Sequence, residues 1–269
     1  MVEQRILEAA QRLPVGGAVS GWAALRLAGG GFFDGLEPDG SAPKPVRLVV
    51  PPPHNLRPQD LISVGRERLE PAEIVTLHGV LCTSPLRAAF DEARHSVNVR
   101  EAVVVVDMAL AAGLFRLEEY VVYARSRRNW PGAMQARAAG RLADERSLSP
   151  GETRMRLVWV LDARLPVPRC NWPIADLDGQ RLGKPDLFSN ELGVVGEYNG
   201  AEHRTRARQA QDVKREDGFL GVGLECFTVV GPDQFDIKLV LARIRATCER
   251  ARTSRRTRGW LIARDPGPP

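Results

Sequence analysis

Three consecutive segments near the carboxy end constrain this 269-residue chain more than anything else in it. A strand-like run at 192–199 is followed by a charged helical segment at about 203–217. Then comes GLECFTVV (223–230), a nearly continuous apolar strand. Upstream, a helix over about 150–164 presents Met155, Val158, Trp159 and Leu161 as its apolar face. Strands at about 172–177 and 181–188 follow it, divided by turn signals such as Asp178-Gly179 and Ser189-Asn190. A last helix runs from about 233 to 253. The order αβββαβα describes helices packed against a mixed sheet.

The polar segment DERSLSPGE (144–152) separates this region from the rest, which gives domains 1–145 and 146–269. In the first, Val2, Ile6, Leu7, Ala10 and Leu13 form one helical stripe, ended by Pro14 and Gly16-Gly17. Ser20 is placed to cap a second short helix through Leu27, which Gly29-Gly30-Gly31 would end. Residues 34–45 read as a surface loop. VRLVV (46–50) is a strand stopped by Pro51-Pro52-Pro53, and EIVTL (73–77) and VLC (80–82) flank a turn at His78-Gly79. From Ser84 the spacing predicts helices over 84–94, 98–112, 115–127 and 131–145, the last with Pro131 in its first turn. The fold class is therefore α+β, a mainly helical amino-terminal domain with a small sheet preceding the αβββαβα domain.

Composition excludes several classes. With 43% apolar residues the chain can bury a core, so wholesale disorder is excluded. Thirty-eight Lys and Arg against 33 Asp and Glu give a net charge of +5, which permits a nucleic-acid partner without requiring one. A membrane span needs roughly 20 apolar residues, and the best candidate, AVVVVDMALAAGLF (102–115), carries Asp107 in its middle. The amino terminus has early acids and no apolar signal core, so a cytoplasmic location without membrane partners is expected. Cys82, Cys170, Cys226 and Cys248 form no C-x-x-C pair, which argues for reduced thiols over a zinc site. His54, His78 and His95 have no ligand spacing and read as structural. No G-x-x-x-x-G-K-[ST] or G-x-G-x-x-G motif is present to cradle phosphates, so no cofactor beyond a divalent ion is implied.

Chemistry concentrates in the second domain. Glu152 sits in the first turn of its helix, Asp186 in the strand GKPDLF, and Glu197 and Asn199 two apart in GEYNG, on one strand face. If the two strands pair as a hairpin, Asp186 and Glu197 meet. Converging carboxylates repel unless a cation lies between them, and Mg²⁺ or Mn²⁺ suits such a site. Tyr198 faces the other way. Lys184, two residues before Asp186, shares its face and offers a positive charge. Arg204, Arg206 and Arg208 suit phosphate contacts, or a solvated face. Arg250, Arg252, Arg255, Arg256 and Arg258 form a cluster that either grips a polyanion or makes a soluble end. Each acid also has a plainer reading. Glu152 is an acid favoured by the helix dipole, Asn199 begins a turn before Gly200, and Asp212 with Arg215 makes a surface ion pair. Arg125, Arg127 and Arg128 before Trp130 either touch DNA or end a charged helix.

The spacing Glu…Pro-Asp…Glu-x-Asn on helix, strand and strand resembles the PD-(D/E)XK nuclease fold, and within it the small Vsr-like (very short patch repair) endonucleases. In that branch an E-x-D-G-x-x-H segment precedes a helix carrying R-D-x-x-R. Here GEYNGAEHR (196–204) and QDVKRED (211–217) put His203, Asp212 and Arg215 at the later positions. The region from SPGETRMRL (149–157) to LECFTVVGPD (224–233) also resembles the carboxy-terminal half of many actinobacterial proteins of unknown function. VSGWAALRLAGGGFFDG (19–35) and CTSPLRAAFDEAR (82–94) echo the AbiEi-type antitoxins found in their amino-terminal halves, without the usual winged-helix reader. Asn199 stands where the fold's signature has Lys.

The resemblance implies a divalent-metal-dependent endodeoxyribonuclease or nuclease-like DNA-processing protein. Asp186, Glu197 and Glu152 would hold Mg²⁺ or Mn²⁺. Asn199, His203 and Lys184 would complete the catalytic group, and Arg204, Arg206, Arg208, Arg215, Arg255 and Arg256 would contact DNA. The amino-terminal domain would choose the substrate or meet a protein partner. The alternative is a non-catalytic DNA-binding regulator or antitoxin-like protein on a degenerate nuclease scaffold.

Overall fold

The chain separates into two units, Met1–Glu145 and Arg146–Pro269, and the division falls within the polar segment 144–152. A computed structural model describes residues 1–200 and 206–264, and over 206–213 the backbone alone. Helices and mixed sheets make it an α+β protein. Among the described residues no helix is long and apolar enough to cross a membrane.

The first unit contains α1 (Val2–Ala10), β1 (Ala18–Ser20), α2 (Trp22–Leu27), β2 (Val46–Val49), β3 (Ile62–Gly65), β4 (Ile74–Leu77), β5 (Val80–Thr83), α3 (Pro85–His95), α4 (Val99–Ala111), α5 (Leu117–Ser126) and α6 (Ala133–Leu142). Its sheet is five-stranded, in the order β3-β2-β1-β5-β4, and larger than the sequence pattern suggests. The reason is that β1 and β3 are too short for alternation to register, and β1 is buried at all three positions. Ser84 caps α3, and Asn98 caps α4 by accepting from Arg100 N and Glu101 N at 2.9 and 3.0 Å. Ser20 is not a cap. It ends β1, and its hydroxyl donates to Asp91 Oδ2 at 2.8 Å in the interior. Pro131 lies outside α6, which starts at Ala133 after Gly132.

Helix α3 buries charge as well as apolar surface. Asp91 is fully buried and accepts from Arg87 Nε and Arg94 Nε, each at 2.9 Å. Arg87 Nη1 reaches Glu73 Oε2 at 2.7 Å, and Glu73 Oε1 also receives Tyr123 and Arg127. Arg94 pairs with Glu67, which Arg47 Nη2 contacts at 2.6 Å. Buried ions cost several kcal/mol each unless paired, so removing one partner of this chain strands another. Burial pushes the Glu67 carboxyl up, but Arg47 and then Arg94 outweigh it and hold the group at about 2, against an ordinary 4.5. Glu73 is also lowered. Burial opposes the shift, and the hydrogen bonds from Tyr123 and Arg127 and the charge of Arg87 overcome it. Because these folded-state values lie below the unfolded ones, their stabilisation is complete above the unfolded value and disappears as pH falls toward 2. Thermal melts should therefore show a falling Tm from about pH 4.5 toward pH 2, and Glu67→Gln should lower Tm at neutral pH and flatten that acid limb.

The second unit contains α7 (Pro150–Leu157), continued by a π turn (Val158–Asp162), then β6 (Arg169–Cys170), β7 (Ile174–Asp176), β8 (Arg181–Gly183), β9 (Leu187–Ser189), β10 (Val194–Asn199), α8 (Arg206–Gly221), β11 (Glu225–Val230), α9 (Ile237–Thr253) and β12 (Trp260–Ile262). The main sheet has the order β11-β10-β9-β6. Strands β9 and β10 are antiparallel, with Leu187 opposite Gly196, while β10 and β11 are parallel through the α8 crossover. A three-stranded sheet, β12-β7-β8, stands beside it in the chain order. The segment read as one strand at 181–188 is thus two strands in two sheets, because Pro185 interrupts the ladder and the chain crosses over at Lys184–Asp186.

Both faces of the main sheet are covered. Val194, Phe227 and Val229 pack with Met155, Val158 and Trp159 of α7 and its π turn, and with Val240 and Ile244 of α9. On the other face Val195 and Phe188 pack with Phe219 of α8 and with Leu224. The arginine-rich tail is not a free end. Arg250 pairs with Glu225, Arg252 with Glu249, Arg256 donates to Leu220 O, and Arg258 donates to Asn190 and stacks on Trp260. Strand β12 then pairs with β7, Trp260 opposite Asp176.

Candidate functional site

Alternation along β10 divides the site into two halves. Glu197 and Asn199 present to the face covered by α8, and Tyr198 to the face covered by α7. Arg215 of α8 donates from Nη2 to Glu197 Oε2 at 2.9 Å. On the other face, the ring of Tyr198 lies against Gly151 in the first turn of α7, and its hydroxyl accepts from Gln234 Nε2 at 3.0 Å. Burial raises the Tyr198 phenol above its ordinary value, and Arg154 and Gln234 only partly offset it. Arg154 Nη1 in turn holds Gln234 Oε1 at 2.6 Å.

Glu197 lies in β10, whereas Asp186 lies just before β9, in the crossover from β8. The ladder between β9 and β10 ends at the Leu187–Gly196 pair, one residue short of both acids. The Asp186 carboxylate turns back onto the ladder, where Oδ2 accepts from Tyr198 N at 2.6 Å. Glu152 is elsewhere. Its backbone N–H is taken by the Ser149 cap, and its carboxylate accepts from Leu148 N at 2.9 Å and Asn171 Nδ2 at 2.7 Å. Among the described residues, no group of three or more His, Cys, Asp or Glu side chains is placed to hold a metal ion. Among the described residues Glu152, Asp186 and Glu197 do not form such a group. What remains is the lesser requirement of Mg²⁺, one or two carboxylates completed by water, which Asp186 and Glu197 can meet.

Asn171 went unread in the sequence although it ties the halves together. Its side chain holds Glu152, its backbone N–H donates to Asp186 O at 3.3 Å, and its φ of 48° is a conformation that Asn tolerates better than most residues. An Asn directly after β6 and before Trp172-Pro173 was the available signal. Lys184 and Asp186 both lie in the crossover between β8 and β9, outside either strand. His203 and Arg204 lie outside the described residues, as do the side chains of Arg206, Arg208 and Asp212. Arg255 is exposed, whereas Arg256 bonds to the fold.

A hollow of about 30 Å³ opens beside Glu197, walled by Asn199, Arg215, Glu216 and Thr228. It has room for a water or a single ion, and none for a nucleotide. Cys226 also borders it, but burial, reinforced by Glu216, Glu197 and Glu225, pushes its thiol up to about 12, so it is no nucleophile. Compared with protein-family models, curated proteins and solved structures, the chain matches none.

The contact between α7 and Tyr198 is the most sensitive point of this arrangement. A β-carbon on Gly151 would fall inside the Tyr198 ring. Gly151→Ala should therefore cost about 1–3 kcal/mol, the usual range for overpacking a buried contact, when unfolding is followed in urea.

Proposed function

We propose that Arg146–Pro269 is a nuclease-type DNA-processing unit, a divalent-metal-dependent endodeoxyribonuclease whose cation is held by Asp186 and Glu197. The observation that carries the reading is the hydrogen bond from Tyr198 N to Asp186 Oδ2 at 2.6 Å, which brings the Asp186 carboxylate, from the segment just before β9, to the residue next to Glu197. The element order supports it further. Leaving β7, β8 and β12 aside, the main sheet and its helices run α7, β6, β9, β10, α8, β11, α9, which is the αβββαβα order. A bound Mg²⁺ or Mn²⁺ would polarise a phosphoryl oxygen and acidify an attacking water.

The chain's own residues do the remainder. Asp186 is held in place by Tyr198 N, which donates to its Oδ2. Asn199, on the Glu197 face, offers an amide to orient water. Arg215 neutralises Glu197 and competes with a cation for it, so metal binding and release of Arg215 are coupled. Glu152 acts as a positioning residue, holding Asn171 and through it the backbone of Asp186.

The Arg215–Glu197 pair also favours the second reading, a DNA-binding regulator on a scaffold whose acids have lost their catalytic task. One assay separates them. Supercoiled plasmid incubated with Mg²⁺ or Mn²⁺ should be nicked by the wild type and left intact by Asp186→Ala. Intact plasmid with the wild type, together with a metal-independent shift of one promoter fragment in a gel, would establish the regulator instead.

A further inference from the structure

The first unit carries a cationic surface that the nuclease reading does not use. Residues 121–142 contain Arg125, Arg127, Arg128, Arg137 and Arg141 and no acidic residue. Arg127 is consumed inside the unit by Glu73. None of the other four forms an ion pair with any described residue. Arg125, Arg128 and Arg141 are exposed, and Arg137 is half-buried.

These four arginines border two open surface hollows that share Arg125 and Arg128, together termed the groove. A hollow of about 570 Å³ is bordered by Arg125, Arg128, Asn129 and Trp130. A second, of about 450 Å³, is bordered by Arg125 and Arg128 again, with Arg137 and Arg141. Arg137 and Arg141 are four apart on α6 and so project from one side of it. Unpaired like charges this close repel one another, and an anion lying between them relieves that repulsion.

The groove is also rigid. Helices α5 and α6 are joined through Tyr120, whose buried hydroxyl donates to Ala136 O at 3.2 Å. The turn between them is clamped from beneath. The guanidinium groups of Arg87 and Arg94 lie 4.5 and 5.3 Å from the Trp130 ring centre. Arg94 Nη1 also donates to Pro131 O at 3.1 Å. Gly132, at φ 75°, passes so close to Arg94 O that a β-carbon would collide with it. The arginines therefore stand on a preorganised base, which limits the ordering cost of binding.

We propose that this groove binds the phosphodiester backbone of a nucleic-acid duplex, as a contact surface separate from the site on Arg146–Pro269. Its open, extended form suits a polyanion better than a small anion, which would need enclosure. Planar guanidinium forks match phosphate oxygens. Four such contacts contribute roughly 3–4 to the slope of log affinity against log salt.

The test is fluorescence anisotropy of the full chain in EDTA, so that no cleavage enters the readout, with labelled 20-base-pair DNA and RNA duplexes over a salt series. The two duplexes tell which backbone is preferred. Replacing Arg125, Arg128, Arg137 and Arg141 with Ala should weaken binding at least about tenfold near 0.1 M salt and flatten the salt slope by roughly 3–4. Tm should be unchanged, because these side chains lie at the surface. The pairs Arg125→Ala/Arg128→Ala and Arg137→Ala/Arg141→Ala should each give about half the change in slope. Arg57→Ala/Arg68→Ala, which removes exposed charge elsewhere in the unit, should leave binding near wild type. The proposal is overturned if the wild type binds neither duplex, or if the fourfold variant keeps wild-type affinity and slope. It is equally overturned if the Arg57/Arg68 control loses as much as a groove pair. Loss of binding to phosphatidylserine vesicles with duplex binding intact would assign the groove to a lipid surface instead.

Discussion

Double coverage of the β9–β10–β11 ladder governs the carboxy-terminal unit. A strand buried on both sides sends alternate side chains into separate layers, and no rotamer carries one across. In β10 this puts Glu197 and Asn199 under α8, and Tyr198 against α7. Helix α7, which brings Glu152, is on the far side for the same reason that it can bury Met155 against the sheet. The acids are instead linked by relay, from Glu152 through Asn171 to Asp186, and from Asp186 to the Tyr198 backbone.

In the amino-terminal unit the organising interaction is ionic. Asp91 is inaccessible to water and is held by Arg87, Arg94 and Ser20, which come from α3 and β1. The network reaches β2 through Arg47, the segment before β4 through Glu73, and α5 through Tyr123 and Arg127. Few of these charges can be removed singly, because each neutralises another where solvation is absent. The same arginines stack on Trp130 and fix the α5–α6 turn. An electrostatic device in the core thus sets the geometry of a cationic groove at the surface.

Much of the helical framework was legible because its signals are local. Ser84-Pro85 and Asn98 announce the starts of α3 and α4, and the apolar run after Asn98 announces a buried helix. The strand of Glu197 and the apolar strand after α8 were equally plain. Short strands were not. Strand β1 spans three residues and β6 two, and each exists only because a partner ladder supplies its hydrogen bonds. Pro185 divides one apparent strand, 181–188, between two sheets. The tail arginines looked like a single cationic patch, yet several are spent on Glu225, Glu249, Leu220 and Asn190, partners distributed from 190 to 249.

By itself the amino-acid sequence determined most of the helical segments, the strand that carries Glu197, and that positive charge accumulates without acids over 121–142. Periodicity, caps and composition are properties of short windows, so they survive without a fold. Tertiary structure alone decided which face each helix covers, that Arg215 takes Glu197, that Glu152 stays apart, and which arginines remain without an acidic partner. Those outcomes depend on pairings between residues tens of positions apart. Only the packed molecule, by excluding water from some charges and leaving others in it, distinguishes one pairing from another.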